Sequence, residues 1–180
     1  MKKVYEIRFS GSGGQGIITA GMVLGEAASV FDGKYVVQTQ SYGPEARGGA
    51  CKTELMIADE RVSYPKPELA DILLVMSQAS YDKYIDEVKE DAWVIVDSST
   101  VKYKPARGVF PVPITKLAEE VVGNKVVANV VAMGVLSSLT NIVSYEALER
   151  SLLNRIPRGT EEMNKKALKL GKTLEFKDNV

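Results

Sequence analysis

Four glycines in six residues surround one glutamine at Gly11-Ser12-Gly13-Gly14-Gln15-Gly16. Backbone without Cβ atoms can turn its N–H groups toward an anion or a neighbouring chain. The turn follows a segment of strand character at residues 3–9, with Val4, Ile7 and Phe9 as its apolar positions. It precedes a helical pattern in which Ile17, Ala20, Val23, Leu24, Ala27 and Ala28 share one face. Gly11, Gly13 and Gly16 thus satisfy G-x-G-x-x-G in the strand–turn–helix setting where a helix N-terminus favours a phosphate. A dinucleotide site would also need Asp or Glu about 20 residues on, at the end of the second strand. That strand ends instead in Gln38-Thr39-Gln40-Ser41, and Asp32 comes before it. Close packing of the strand on its helix explains some of these glycines. Gly14 and Gln15 exceed that need, so the loop is expected to meet an anionic ligand or a neighbouring backbone.

A second turn, Ser41-Tyr42-Gly43-Pro44-Glu45-Ala46-Arg47-Gly48-Gly49, joins a rigid proline, an aromatic ring, both charges and flexible glycines. Such loops serve as binding surfaces more often than as plain connectors. The Arg47 guanidinium suits a carboxylate or a phosphate. An internal surface pair with Glu45 would be worth only ~0–1 kcal/mol, and the flanking glycines remove bulk where a partner would sit. A contact role therefore ranks above the solvated pair. If both turns follow neighbouring strands of one sheet, they share an edge and build one surface.

Composition narrows the chemistry. The chain has 180 residues, 45% of them hydrophobic, with 23 basic and 23 acidic side chains and no net charge. No basic excess points to nucleic acid, and weak self-repulsion is compatible with assembly, including self-association of the free chain. There is no histidine, and Cys51 is the single cysteine. An iron–sulfur cluster or a structural zinc needs several such ligands, so no metal site is expected within the chain. A Ser-His-Asp or Cys-His device is excluded as well. One unpaired cysteine fits a reducing, cytoplasmic setting, and Cys51 reads as an inert strand residue. The N-terminus alternates polar with apolar residues, unlike a secretory signal. The longest apolar run, near residues 126–139, is broken by Asn129 and Ser137 and falls short of the roughly 20 residues that span a bilayer.

The remaining pattern supplies the scaffold. Strands are expected at Tyr35–Val37 and at residues 50–58, with a short return strand from Val62. Without a helix between them, these pair antiparallel or at an edge. Asp71–Met76 and Trp93–Asp97 are apolar runs suited to buried parallel strands, and Gly108–Val112 forms a last short one. Helices are expected at Gln78–Glu90 (Tyr81, Tyr84, Ile85 and Val88 inward), Pro113–Val122, Val126–Leu139, 144–154 and 160–175, the last basic and peripheral. Met76 and Met133 read as core filler. The fold class is α/β: a three-layer, Rossmann-like, mostly parallel sheet with helices on both faces and an antiparallel or edge portion near residues 50–63. Residues 1–180 form one domain.

At its two turns the chain resembles the gamma subunit of 2-oxoacid:ferredoxin oxidoreductases. The likeness rests on Gly11-Ser-Gly-Gly-Gln-Gly16 before a helix and on Ser41-Tyr-Gly-Pro-Glu-Ala-Arg-Gly-Gly49. It extends to Asp71–Gln78, where a strand ends in Ser77-Gln78, and to Asn129-Val-Val-Ala-Met133-Gly134. The second turn is most similar to the 2-oxoglutarate type, with pyruvate and branched-chain types close behind. The resemblance implies a cytoplasmic hetero-oligomer that converts a 2-oxoacid and coenzyme A to an acyl-CoA and passes electrons to ferredoxin. It implies alpha, beta and delta partner subunits. Thiamine diphosphate and iron–sulfur clusters would be held by other chains, and no cofactor by this one alone.

On that basis no residue of this chain is expected to be catalytic by itself. Gly11, Gly13, Gly14 and Gly16 would form a backbone cradle, and Gln15 would hydrogen-bond across the active-site or subunit boundary. Ser41, Tyr42, Gly43, Pro44, Glu45, Arg47, Gly48 and Gly49 would face coenzyme A or partner subunits. Gln78 and Asn129 would support the loops, Asn129 as a satisfied buried amide. Two other readings stand beside this one: a free-standing nucleotide- or NAD-binding protein, and a scaffold module without catalysis.

Overall fold

In the computed structural model, residues 4–41, 50–62 and 68–176 are described. Six strands form one sheet: β1 (Val4–Ser12), β2 (Tyr35–Ser41), β3 (Ala50–Ala58), β4 (Ala70–Val75), β5 (Val88–Asp97) and β6 (Val109–Val112). Their spatial order is β2-β3-β1-β4-β5-β6. β1, β4, β5 and β6 pair in parallel, whereas β3 runs antiparallel to both β2 and β1. The antiparallel portion is therefore an interior strand, not an edge. It ends at Ala58, and Val62 belongs to no strand; residues 63–67, where the expected return strand would continue, lie outside the described residues.

Alternation along β1 assigns the two faces. Ile7 and Phe9 join the larger core, built with α1 (Ile17–Glu26), α3 (Ile114–Leu117), α4 (Ala128–Thr140), α5 (Tyr145–Arg155) and α6 (Glu161–Lys172). The opposite face carries α2 (Gln78–Tyr84), with Tyr81 and Tyr84 packed among Leu73, Val75, Val94 and Val96. β4 is buried at every position, which explains its uninterrupted apolar run. A π-helical turn, Ala27–Phe31, continues α1, and another, Ala118–Val122, continues α3.

Under α2 the sheet buries charge. Arg8, 2% exposed, binds Glu54 at 2.8 Å and Glu87 at 2.6 Å. Its guanidinium carbon stands 5.0 Å from the centre of the Tyr84 ring, and Lys52 meets the other Glu54 oxygen at 2.9 Å. A second set joins Lys89 to Glu6 and Asp71 at 3.2 and 3.1 Å. Burial alone would lower the Lys89 ammonium, but hydrogen bonds and charge attraction from Asp71 and Glu6 outweigh it and leave the group raised.

These charges correct one boundary. The expected helix Gln78–Glu90 stops at Tyr84. Glu87 is drawn to Arg8, its carbonyl accepts from Ala70 N at 3.0 Å, and Val88 pairs with Ala70 at the start of β5. Val88 thus belongs to the sheet, although its spacing from Tyr81 and Tyr84 mimics a helix face. The last helix is not peripheral either. Ala167 and Leu168 of α6 are fully buried, and the α4–α6 crossing is so close that a Cβ on Gly171 would overlap the Val131 carbonyl oxygen.

Candidate functional site

The C-terminal ends of the parallel strands converge on one rim. β1 is longer than its pattern suggests: Gly11 and Ser12 are strand residues opposite Cys51 and Ala50. The turn proper is Gly13-Gly14-Gln15-Gly16. Gly14 and Gly16 hold φ of 88° and 70°, in the left-handed region. Gly16 is the N-cap of α1, which has no side-chain cap and no acidic residue in its first turn.

The glycines divide by what surrounds them. A Cβ on Gly11 would lie 2.5 Å from Gln15 Oε1, and one on Gly16 would collide with Asn129 Nδ2. A Cβ on Gly13 or Gly14 would meet nothing within 4 Å among the described residues. Two glycines therefore make room for the chain's own side chains, and two have no such neighbour among the described residues.

Gln15 is engaged within its own chain. Its Oε1 accepts from Ser12 N at 2.7 Å, and its Nε2 donates to the Met76 carbonyl at 2.8 Å. Each end of the amide has a partner within the chain and keeps one further donor or acceptor position. Asn129, on the first turn of α4 and 8% exposed, donates from Nδ2 to Gly16 O at 3.2 Å. Gln78 accepts from Lys102 N at 2.7 Å and donates to Asp82 at 2.8 Å, tying α2 to the segment that follows β5.

The second turn is reached through its anchors. Ser41 ends β2 opposite Lys52, and Ala50 begins β3 opposite Ser12. Tyr42, Gly43, Pro44, Glu45, Arg47, Gly48 and Gly49 lie outside the described residues. The chain positions that bracket them stand one and two strand spacings from β1, roughly 5 and 10 Å, at the same end as the first turn. Their register is fixed by Gln38 Nε2, which donates to Thr53 Oγ1 at 2.9 Å, while that hydroxyl donates to Thr39 O at 3.2 Å.

Two residues escaped the sequence reading. Asp97, fully buried at the end of β5, accepts from Ser99 N at 3.0 Å and from both the backbone N–H and the hydroxyl of Thr115. It fixes the Ser98–Thr100 turn and the start of α3. Thr100 donates from Oγ1 to the Met76 carbonyl at 3.1 Å, the same oxygen that Gln15 binds. An aspartate closing an apolar run before Ser98-Ser99-Thr100 is the signal for the first of these.

The chain leaves β1 on one face through α1 and leaves β4 on the other through α2. The point between these adjacent strands is the topological switch, where open α/β sheets bind ligands. The Gln15–Met76 bond spans that point. The missing strand-2 carboxylate acquires a geometric counterpart: β3 separates β2 from β1, so an acid at the end of β2 would not stand beside the glycine turn. Among the described residues no group of three His, Cys, Asp or Glu side chains is arranged to hold a metal ion. With one cysteine and no histidine, the residues present do not fit an iron–sulfur cluster. Nor is any described helix long and apolar enough to cross a membrane.

The strand–glycine turn–helix lies at the switch point of a mixed α/β sheet. The chain belongs to the pyruvate ferredoxin/flavodoxin oxidoreductase family, whose sequence model matches residues 6–174. It is 49% identical over 170 residues to the 2-oxoglutarate synthase subunit KorC of Methanocaldococcus jannaschii, covering 92% of this chain and 91% of that one. It is also similar to the crystal structure of a keto/oxoacid ferredoxin oxidoreductase gamma subunit from Geobacter sulfurreducens, at 44% identity and TM-score 0.85 over 94% and 95% of the two chains. The fold recurs in a 2-oxoglutarate:ferredoxin oxidoreductase from Magnetococcus marinus with 2-oxoglutarate, coenzyme A and succinyl-CoA bound. That likeness has TM-score 0.82 at 24% identity and covers 96% of this chain but 31% of the other, so it is one of fold.

Proposed function

We propose that this chain is the gamma-type subunit of a 2-oxoglutarate:ferredoxin oxidoreductase and presents coenzyme A to a reaction centre carried by partner subunits. The observation that carries the reading is near-full-length identity of 49% to a 2-oxoglutarate synthase subunit, joined to a rim where Ser12, just before the first turn, faces Ala50, just after the second. Thiamine diphosphate and the iron–sulfur clusters reside on alpha, beta and delta partners, since this chain offers no ligand set for a cluster. Its own work is geometric. Gly13 and Gly14 offer backbone donors, the uncapped start of α1 favours negative charge, and Arg47 supplies a guanidinium for a phosphate or a partner carboxylate. Holding the thiol of coenzyme A beside an acyl intermediate is a proximity task, for which fixed donors suffice.

Co-expression with the thiamine-binding and ferredoxin-like subunits tests this. Reconstituted complex is expected to reduce ferredoxin with 2-oxoglutarate and coenzyme A, and the chain alone to turn over nothing. Arg47→Ala is expected to weaken assembly or raise the KM for coenzyme A. Tight NAD binding by the isolated chain, or intact assembly and unchanged coenzyme A kinetics in Arg47→Ala, counts against the reading.

A further inference from the structure

We infer that Gln15 and Thr100 are positioning residues that preset the Gly13-Gly14 turn for coenzyme A by gripping one shared acceptor, the Met76 carbonyl. The inference rests on the proposed function for its ligand; the latch itself rests on geometry.

Three turns meet at that oxygen. Gln15 Nε2 reaches it from the β1–α1 turn at 2.8 Å and Thr100 Oγ1 from the turn after β5 at 3.1 Å, while Met76 N donates to Ser10 O at 3.0 Å. The other end of Gln15 accepts from Ser12 N at 2.7 Å, and Gln15 N donates to Ser12 O at 3.2 Å, closing the Ser12–Gln15 turn on itself. Gly11 leaves the space in which Gln15 Oε1 sits, because a Cβ there would come within 2.5 Å of it. Asn129 fixes the far end of the turn at Gly16 O, 3.2 Å away. Within this turn, a Cβ on Gly13 or Gly14 meets nothing within 4 Å among the described residues, and both sit between clamped neighbours. A loop pinned on both sides has lost its conformational freedom before ligand arrives, and preorganisation of that kind lowers the cost of binding.

Gln15 has two polar ends in two roles, which makes it separable from a mere filler. Gln15→Glu keeps an acceptor for Ser12 N and sets an oxygen against the Met76 carbonyl. Thr100→Val removes only the second donor, the hydroxyl of an exposed residue, and Thr100→Ser restores it.

Steady-state kinetics of the assembled complex, with coenzyme A varied, measures the effect. Gln15→Glu is expected to raise the KM for coenzyme A about five- to ten-fold with kcat within about two-fold. Thr100→Val should shift the same parameter in the same direction, and Thr100→Ser should return it. In the full chain alone, hydrogen exchange at the Gly13 and Gly14 amides should quicken in Gln15→Glu, while exchange at Leu55 and Leu74 stays unchanged. Faster exchange with an unaltered KM overturns the inference, as does a Thr100→Ser variant that behaves like Thr100→Val. Should Gln15→Glu not assemble, Thr100→Val decides through the same KM. Coenzyme A-dependent turnover by the wild-type complex tests the proposed function separately.

Discussion

The division of the glycine turn into structural and outward-facing positions predicts opposite outcomes for two alanine substitutions three residues apart. Gly16 holds φ 70°, ψ 22°. An L-residue in the left-handed region costs about 1–2 kcal/mol. The added Cβ also collides with Asn129 Nδ2, so the amide must release Gly16 O, at about 1 kcal/mol for the lost hydrogen bond. Gly16→Ala should therefore destabilise by about 2–3 kcal/mol, lowering the midpoint by roughly 4–12 °C at 2–4 °C per kcal/mol for a chain of this size. Gly13→Ala meets nothing within 4 Å among the described residues and needs no left-handed backbone, so it should be neutral or stabilising by up to about 1 kcal/mol while raising the KM for coenzyme A in the complex. Thermal denaturation of the full chain, followed by circular dichroism, reads both midpoints. The Asn129 term is shared between partners. Gly16→Ala and Asn129→Ala combined should cost about as much as Gly16→Ala alone. Fully additive losses, or a Gly13→Ala midpoint as low as that of Gly16→Ala, would refute the assignment.

Arg8→Met leaves the buried Glu54 carboxylate with Lys52 as its remaining partner and should cost about 3–5 kcal/mol, most of it recovered when Glu54 is replaced by Met as well; a neutral single variant would deny the network its role. Lys89, whose proton is held more tightly by Asp71 and Glu6 than in the unfolded chain, contributes stability that is complete below the ordinary lysine pKa of about 10.4 and fades as pH rises through its raised value. Melting temperatures between about pH 8 and 11.5 should thus fall more steeply in wild type than in Lys89→Met, and parallel curves would contradict the pairing. Gly171→Ala should destabilise by about 1–3 kcal/mol through overpacking against the Val131 carbonyl, whereas an unchanged midpoint would return α6 to the periphery.

Apolar periodicity made most of the scaffold readable. β3 is observed from Ala50 to Ala58 as expected, and β4, α4 and α5 fall within a residue or two. Failures occurred where a charge or a small residue, not an apolar one, decided the local structure. Val88 fits a helical stripe, yet Glu87 beside it is claimed by Arg8 from β1, a partner 79 residues away. α6 reads as basic and solvated because its buried stripe is short, and its packing depends on two small residues, Gly134 and Gly171, that carry no hydropathy signal. In the candidate site, G-x-G-x-x-G correctly marked a turn at a helix start. Spacing alone could not reveal that Gln15 folds inward, since that requires the Met76 carbonyl at the end of a strand far along the chain.

The position of β3 explains both what the site lacks and what it contains. In a dinucleotide fold the strand beside β1 is the parallel strand whose terminal acid reaches the ribose. Here antiparallel β3 occupies that slot and displaces β2 to the sheet edge, roughly 10 Å from the glycine turn. Because β3 runs the other way, its first residue, Ala50, lies at the C-terminal rim beside Ser12. A parallel strand there would have contributed its last residue instead. The connection from Ser41 to Ala50 must therefore leave and re-enter the sheet at that rim. One reversal of strand direction removes the place for a ribose-binding carboxylate and puts the ends of a second glycine-rich segment next to the first.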